Sequence, residues 1–251
     1  MKVVSFSIFK GGTGKTTSAV NTAAALVQKG QRVLLVDLDQ QASATRYLDL
    51  DPEQSPNLYE IFMGTHSAAL AVRKTKFGID VLASHLLMAA IEEALEPGDE
   101  LKLSDILTPL KPDYDFILID APPGKAMLAF NGLAAADLIV IPASAERMAV
   151  DGVADLINHV QRIMWNKFAL NHQELAILFT MYRSTTSHSP AILANAKKIW
   201  RENVLNVKIP HSTVFARSYD ERIPVAFMEP KHPGAIAYGV FADWLINYEN
   251  T

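Results

Sequence analysis

Phe9-Lys10-Gly11-Gly12-Thr13-Gly14-Lys15-Thr16-Thr17 is the stretch of sequence that decides the fold. It lies between an apolar run at residues 3–8 and an alanine-rich segment with the pattern of a helix. A strand, a glycine-rich turn and a helix in this order form a phosphate-binding loop, in which backbone N–H groups and the helix N-terminus surround a polyphosphate. In such a loop the lysine, here Lys15, reaches the β- and γ-phosphates, and the hydroxyl of Thr16 binds Mg²⁺.

The loop departs from the standard phosphate-loop pattern at its first position. The pattern G-x-x-x-x-G-K-[ST] requires a glycine at position 9, where this chain has Phe9, and a second lysine, Lys10, follows directly. The alternative reading is a glycine-rich turn with two solvated lysines. Because strand, loop and helix occur in the required order, the phosphate-binding interpretation is the stronger one.

Apolar runs that alternate with helical patterns predict an α/β fold of the P-loop NTPase class, three layers deep (α/β/α) around a mostly parallel, twisted sheet. Continuous apolar runs are typical of parallel strands that are buried on both faces. After the first strand, further strands are predicted at residues 32–37, 78–82, 116–120, 138–142, 175–180 and 207–210. Helices are predicted at residues 16–29, 86–95, 101–110, 150–165, 191–203 and 235–244, and Asn57 is predicted to cap a short helix. We expect a single domain over residues 1–251.

Composition excludes several classes of function. The chain has no cysteine, which rules out disulfides, thiolate catalysis and cysteine-ligated iron–sulfur clusters. A net charge of −4 argues against a uniformly basic nucleic-acid-binding coat but allows a local basic patch. The N-terminus leads directly into a strand, and no apolar run approaches membrane-spanning length. We therefore expect a cytoplasmic protein without a membrane segment.

Three aspartates stand where predicted strands end. Asp120 ends an apolar strand and is followed by Ala-Pro-Pro-Gly at residues 121–124, the context of a Walker B aspartate that holds Mg²⁺ opposite Thr16. Asp37 and Asp39 are two residues apart at the end of the second strand. Because side chains alternate along a strand, both carboxylates are predicted to point towards the phosphate-binding loop.

The sequence K-G-G-T-G-K-T-T at residues 10–17 resembles the deviant Walker A motif of the ParA/MinD family of P-loop ATPases, and the chain as a whole is similar to ParA/Soj-type partition ATPases. The resemblance implies hydrolysis of ATP with Mg²⁺ in a nucleotide-sandwich homodimer, in which Lys10 reaches the phosphates of the partner's ATP. It assigns catalysis to Lys10, Lys15 and Asp39, with Asp39 positioning and activating the attacking water.

The resemblance also assigns binding residues. Metal coordination falls to Thr16, Asp37 and Asp120, and the adenine is placed near Met181 and Pro210. The remaining nucleotide-binding residues are those of the loop: Lys10, Gly11, Gly12, Thr13, Gly14, Lys15, Thr16 and Thr17.

The chain departs from the family pattern after Asp39. Partition ATPases usually continue Pro-Gln-Gly-Asn, whereas this chain has Gln-Gln-Ala-Ser at residues 40–43, in which only Gln41 matches. The loss of proline and glycine means that neither the shape of this switch nor the hydrolysis rate follows from the resemblance.

The segment between residues 190 and 232 is basic. It contains seven basic and four acidic residues, which gives a net charge of +3. The candidate DNA-binding residues are Lys197, Lys198, Arg201, Arg217 and Arg222, of which the first three are spaced to share one helix face. Such a patch would bind phosphates without sequence preference. The alternative is an ordinary solvated helix face.

The sequence is compatible with three functions. A ParA-type ATPase would bind nucleoid DNA as an ATP dimer and be released when a ParB-like or cargo-adaptor protein stimulates hydrolysis, so that a plasmid, chromosome or other cargo is segregated. A MinD-like membrane-cycling ATPase requires a basic amphipathic C-terminal helix, and residues 244–251 contain no lysine or arginine. A metabolic P-loop enzyme would need a dedicated small-molecule site, which no motif indicates.

Overall fold

The computed structural model describes residues 1–145, 147–166, 169–170, 173–185 and 188–248, without the side chains of residues 147–150 and 188. Its centre is an eight-stranded sheet with the order β3-β4-β2-β5-β1-β6-β7-β8. The strands are β1 (Lys2–Phe6), β2 (Val33–Asp37), β3 (Val72–Lys74), β4 (Asp80–Leu82), β5 (Phe116–Asp120), β6 (Leu138–Ser144), β7 (Glu174–Tyr182) and β8 (Val204–Pro210).

Helices cover both faces of this sheet. They are α1 (Lys15–Gln28), α2 (Ser43–Tyr47), α3 (Leu58–Phe62), α4 (Ala68–Ala71), α5 (Met88–Ala94), α6 (Lys102–Leu107), α7 (Met127–Ala134), α8 (Arg147–His159), α9 (His188–Trp200), α10 (Val214–Asp220), α11 (Val225–Met228) and α12 (Pro233–Asn247). Short 3-10 helices span Asp99–Leu101, Thr108–Asp113 and Arg201–Asn203, and α8 continues as a π-helix over Val160–Trp165.

The position of β1 places the phosphate-binding loop at the middle of the sheet. β1 pairs in parallel with β5 on one side and with β6 on the other. The strands β2 to β5 therefore lie on one side of β1, and the strands β6 to β8 lie on the other. Ligands of open α/β sheets bind at the carboxyl ends of the strands at such a switch point. In the pairing of β2 with β5, Asp37 lies directly opposite Asp120 at this same edge.

Alternation along the strands divides the core into two layers. Val4 and Phe6 of β1 face a cluster that α1 and α12 cover, whereas Val3 faces the opposite side. On that opposite side the helices α7, α8 and α9 cover the second half of the sheet. The predicted α/β/α architecture is therefore confirmed, and among the strands that the structure describes only β3 runs antiparallel to its neighbour.

The sequence does not predict several of the short elements. β3 has only three residues, Val-Arg-Lys, which are partly exposed, so no apolar run marks it. The sequence does not predict the short helices α2, α4, α7, α10 and α11. The predicted cap of α3 by Asn57 is confirmed, and the structure adds a capping box with Glu60. The predicted helix over residues 101–110 is an α-helix only between Lys102 and Leu107, flanked by 3-10 turns. A single domain over residues 1–251 remains a prediction.

Within the described residues, none of the helices is both long enough and apolar enough to span a membrane.

Two glycines of α12 test the packing of this helix. A Cβ added at Gly234 would lie 2.5 Å from Cζ of Phe215, whereas a Cβ at Gly239 would meet nothing within 4 Å. We expect Gly234→Ala to lower the free energy of unfolding by about 1–3 kcal/mol through overpacking. Gly239→Ala should raise it by up to about 1 kcal/mol through helix propensity. Urea unfolding of both variants checks this, and equal effects at the two sites would contradict the described packing.

Candidate functional site

The phosphate-binding loop connects β1 to α1 with a backbone that only glycine adopts easily. Gly12 and Gly14 have φ of +75° and +85°, in the left-handed region. Gly14 is the N-cap residue of α1, and no side chain caps this helix. The first N–H groups of α1 therefore point out of the helix without a side-chain acceptor, which is the arrangement that binds a phosphate.

Two hydrogen bonds that no sequence motif indicates hold this loop in place. The hydroxyl of Thr180, at the end of β7, donates to the carbonyl of Thr13 at 2.8 Å. The N–H of Gly124, in the segment after Asp120, donates to the carbonyl of Phe9 at 2.9 Å. The loop is thus fixed from both halves of the sheet before any ligand binds.

Lys15 is buried at the start of α1, with 7% of its surface exposed. Burial lowers the pKa of Lys15 below its usual value, and the negative charges of Asp120 and Asp39 oppose this shift. A desolvated ammonium gains more from an incoming phosphate than a solvated one, because less water has to be displaced. The predicted phosphate-binding role of Lys15 fits this environment.

Asp120 is the residue best suited to hold a cation. It is 1% exposed, and neither of its carboxylate oxygens has a hydrogen-bond partner of standard geometry. Burial raises the pKa of Asp120 well above its usual value, and the charge of Asp37 adds to the rise, whereas the nearby Thr16 hydroxyl and Lys15 oppose it. A buried carboxylate without a partner is costly.

Carboxylate and hydroxyl oxygens are the protein ligands that Mg²⁺ prefers. Asp120 and Thr16 would hold it, and bound Mg²⁺ would neutralise charge on the phosphates.

Asp37 has a different environment from the one expected. Its Oδ2 accepts hydrogen bonds from the backbone N–H and the hydroxyl of Thr45, both at 2.8 Å, and its Oδ1 accepts from the N–H of Asp39 at 3.3 Å. Burial raises the pKa of Asp37 to about 7, despite these hydrogen bonds. Asp37 therefore ties the end of β2 to α2, and its place in the Mg²⁺ coordination remains a prediction.

Asp39 and Lys10 lie at the more open part of the site. Asp39 is half-buried, its Oδ1 accepts from the N–H of Gln41 at 2.9 Å, and its charge acts on Lys15. Lys10 is half-buried beside Gly152 of α8, where an added Cβ would lie 3.8 Å from Cβ of Lys10. The roles predicted for both residues involve a nucleotide or a second copy of the chain, and they remain predictions.

A cavity of about 490 Å³ extends from the phosphate-binding loop, a size typical of small-molecule sites. It brings Gly14, Thr16 and Thr17 together with Met181 and Pro210, the two residues predicted to lie near the adenine. Its remaining wall includes residues that sequence analysis did not find, because they belong to helices or loops without a motif. The main ones are His211, Ser212, Phe215, Ala216, Tyr219 and Tyr238.

The five candidate DNA-binding residues are exposed but do not form one patch. Lys197 and Lys198 lie on α9, whose buried residues pack on one face of the sheet, and Arg201 follows this helix. Arg217 and Arg222 lie in and after α10, which packs on the opposite face. Both arginines form ion pairs within the chain.

Arg217 pairs with Glu229, and Arg222 pairs with Asp49 at 3.0 Å. These carboxylates partly neutralise the two arginines. Lys197 instead donates to the amide oxygen of Asn206 at 3.0 Å, which leaves its charge uncompensated by that contact.

Comparison with known proteins agrees with this geometry. The profile of a family described as "AAA domain" matches residues 1–176. The sporulation initiation inhibitor protein Soj of Bacillus subtilis is 32% identical over 243 residues, which cover 94% of this chain and 95% of that protein. The chromosome-partitioning ATPase Soj of Thermus thermophilus is 35% identical over 236 residues, covering 93% and 91%.

The chain belongs to the ParA/Soj family of partition ATPases. Family membership together with the phosphate-binding loop makes the chain a P-loop ATPase, with ATP and Mg²⁺ as its cofactors. Among solved structures, cobyrinic acid a,c-diamide synthase from Mycobacterium smegmatis, with bound ADP and magnesium, superposes with a TM-score of 0.85. It is 31% identical and covers 98% of this chain and 94% of that chain.

Lys15→Ala tests the phosphate-binding role directly. We expect it to abolish ATP hydrolysis and to weaken binding of Mg-ATP about 100-fold, because a charge-assisted contact to the phosphates is lost. Titration with a fluorescent ATP analogue and phosphate release measure the two effects. Lys29→Ala is the matched control, since Lys29 lies at the other end of α1 and pairs with Asp243. Normal turnover by Lys15→Ala would refute the role.

Thr180→Val tests the anchor of the loop. The substitution keeps the shape of the side chain but removes the donor to the carbonyl of Thr13, so we expect a loss of stability of about 1–2 kcal/mol. We also expect Mg-ATP binding to weaken about tenfold, because the loop is no longer held in its binding conformation. Thr180→Ser retains the hydroxyl and should behave as wild type in both thermal unfolding and nucleotide titration. If both variants behave alike, the hydrogen bond has no role.

Proposed function

We propose that this chain is a DNA partition or positioning ATPase, which forms an ATP-sandwich dimer, binds DNA without sequence preference and is released by partner-stimulated hydrolysis. The observation that carries the proposal is similarity to Soj proteins along 93–94% of the chain, combined with Lys10 at the start of the phosphate-binding loop. The cargo would be a plasmid, a chromosome or another large assembly.

Lys10 connects the loop to the dimer. Lys15 already lies inside the site, next to Asp120 and Asp39, and supplies the charge expected of a phosphate-loop lysine. Lys10 is a second cation on the same loop and lies beside Gly152 of α8. We infer that it completes the charge around the phosphates of the other subunit, so that ATP closes two copies face to face.

Hydrolysis then depends on positioning. Phosphoryl transfer needs little covalent chemistry from the protein, and catalysis comes from orientation and charge stabilisation. Asp39 follows a strand whose end is fixed by the hydrogen bonds between Asp37 and Thr45. This rigid support suits the proposed role of Asp39 in orienting the attacking water.

DNA binding is assigned first to α9. Lys197, Lys198 and Arg201 are exposed at its end, and phosphate contacts from lysine and arginine need no base recognition. Arg217 and Arg222 are secondary candidates, because Glu229 and Asp49 partly neutralise them. In the cell we expect a cytoplasmic, nucleoid-associated protein that works with a ParB-like or cargo-adaptor activator.

The second candidate function is a metabolic P-loop enzyme. It is favoured by the 31% identity to a structure named as cobyrinic acid a,c-diamide synthase. A metabolic enzyme would bind its second substrate beside the nucleotide and would show no ATP-dependent affinity for DNA. A MinD-like function predicts binding to liposomes instead, so one experiment separates all three.

Asp39→Ala is the sharpest test of the proposed cycle. We expect it to stop hydrolysis while Mg-ATP binding is retained, so that a dimer accumulates in size-exclusion chromatography with light scattering. Lys10→Ala should bind Mg-ATP as a monomer and fail to dimerise. Each protein is then tested for retention on DNA and on anionic liposomes, with and without ATP, at two salt concentrations. ATP-dependent, salt-sensitive retention on DNA alone is the expected result.

The same assay tests the assigned surface. A variant with Lys197, Lys198 and Arg201 all changed to alanine should lose about tenfold or more in DNA affinity and show a shallower salt dependence. The matched control changes Arg217 and Arg222 to alanine, and we expect a smaller loss. Retention on liposomes, or no difference between ATP and no nucleotide, would contradict the proposed function.

A further inference from the structure

The helix α7, which follows the segment after Asp120, begins without a cap of its own. Its N-cap residue is Ala126, with the extended backbone (φ −93°, ψ 160°) that an N-cap residue usually has. Alanine has no side-chain oxygen, so it cannot accept a hydrogen bond from the first turn. The N–H groups at the start of α7 therefore need an acceptor from elsewhere.

Glu92 of α5, which precedes Met127 by 35 residues, supplies that acceptor. Its Oε1 accepts from the N–H of Met127 at 2.6 Å, and its Oε2 accepts from the N–H of Leu128 at 2.8 Å. Both carboxylate oxygens are thus engaged, and the negative charge lies at the positive end of the helix dipole. The half-buried position of Glu92 limits competition from water.

The contact between Glu92 and the start of α7 affects the segment that joins Asp120 to this helix. The connecting segment, residues 121–126, is held at one end by β5 and in the middle by the hydrogen bond from Gly124 to the carbonyl of Phe9. Glu92 holds its other end. The segment therefore links the carboxylate that fits Mg²⁺ to the backbone of the phosphate-binding loop. Lys125 of this segment also pairs with Asp155 of α8 at 3.2 Å, so Glu92 is one of several contacts that set its position, and it acts where α7 begins.

We propose that Glu92 is a positioning residue for ATP hydrolysis. By capping α7 from α5, it keeps the segment after Asp120 in register with the phosphate-binding loop. Glu92 does not touch the nucleotide cavity, so it acts on the orientation of reacting groups rather than on nucleotide binding. This inference rests on the ATPase activity and is independent of DNA binding.

The test compares Glu92→Ala with Glu93→Ala, its neighbour on α5, which is exposed. We expect Glu92→Ala to lower kcat about tenfold, because small misplacements of reacting groups are costly, with the Kd for Mg-ATP changed less than about threefold. Glu92→Gln keeps one acceptor oxygen and should fall between Glu92→Ala and wild type. Glu93→Ala should match wild type. Unchanged kcat in Glu92→Ala, or an equal loss in Glu93→Ala, would overturn the proposal.

A second variant separates positioning from a general loss of stability. Adding Ala126→Asp to Glu92→Ala places a carboxylate at the N-cap itself, where it can accept from the first turn of α7. We expect this double variant to recover most of the lost kcat. Failure to recover it, while the melting temperature returns to the wild-type value, would show that Glu92 acts otherwise than through the start of α7. All of these ATPase rates, including that of the wild type, are measured in the same buffer without DNA. The comparison of kcat values therefore remains valid even if the DNA-binding assay fails.

Discussion

Burial of ionisable side chains at one edge of the sheet is the constraint on which the site depends. Asp37, Asp120 and Lys15 are 0%, 1% and 7% exposed, and burial of a charge without compensation is expensive. The protein compensates only part of this cost: Thr45 donates two hydrogen bonds to Asp37, whereas Asp120 receives none of standard geometry. A divalent cation and a polyphosphate supply the missing charges, so the buried charges of the site are balanced only when these ligands are bound.

Rigid supports surround this edge. The phosphate-binding loop is held from β7 by Thr180 and from the segment after Asp120 by Gly124. Glu92 then fixes the beginning of α7. All of these contacts are hydrogen bonds between residues far apart in sequence, and they join elements from both halves of the sheet. The ligand therefore enters a site whose shape is largely set beforehand, which lowers the entropic cost of binding.

The sequence predicts the central strands and the loop well, because buried parallel strands are continuous apolar runs and the glycine-rich motif has one structural meaning. It does not predict β3 or α10, which are short and partly exposed. The same limit applies to the site. Asp120 and Lys15 stand in motifs, but Thr180, Thr45 and Glu92 act through contacts that depend on how distant segments pack, and no local pattern marks them.

None of the described residues that line the nucleotide cavity belongs to α9, which covers one face of the sheet while α10 and α12 cover the other. A nucleotide in this cavity would therefore not contact the basic end of α9. Under the proposed function, ATP would strengthen phosphate binding at this surface by presenting two copies of it at once. In such an arrangement the gain would be avidity, which rises steeply when two sites are joined even though neither site changes.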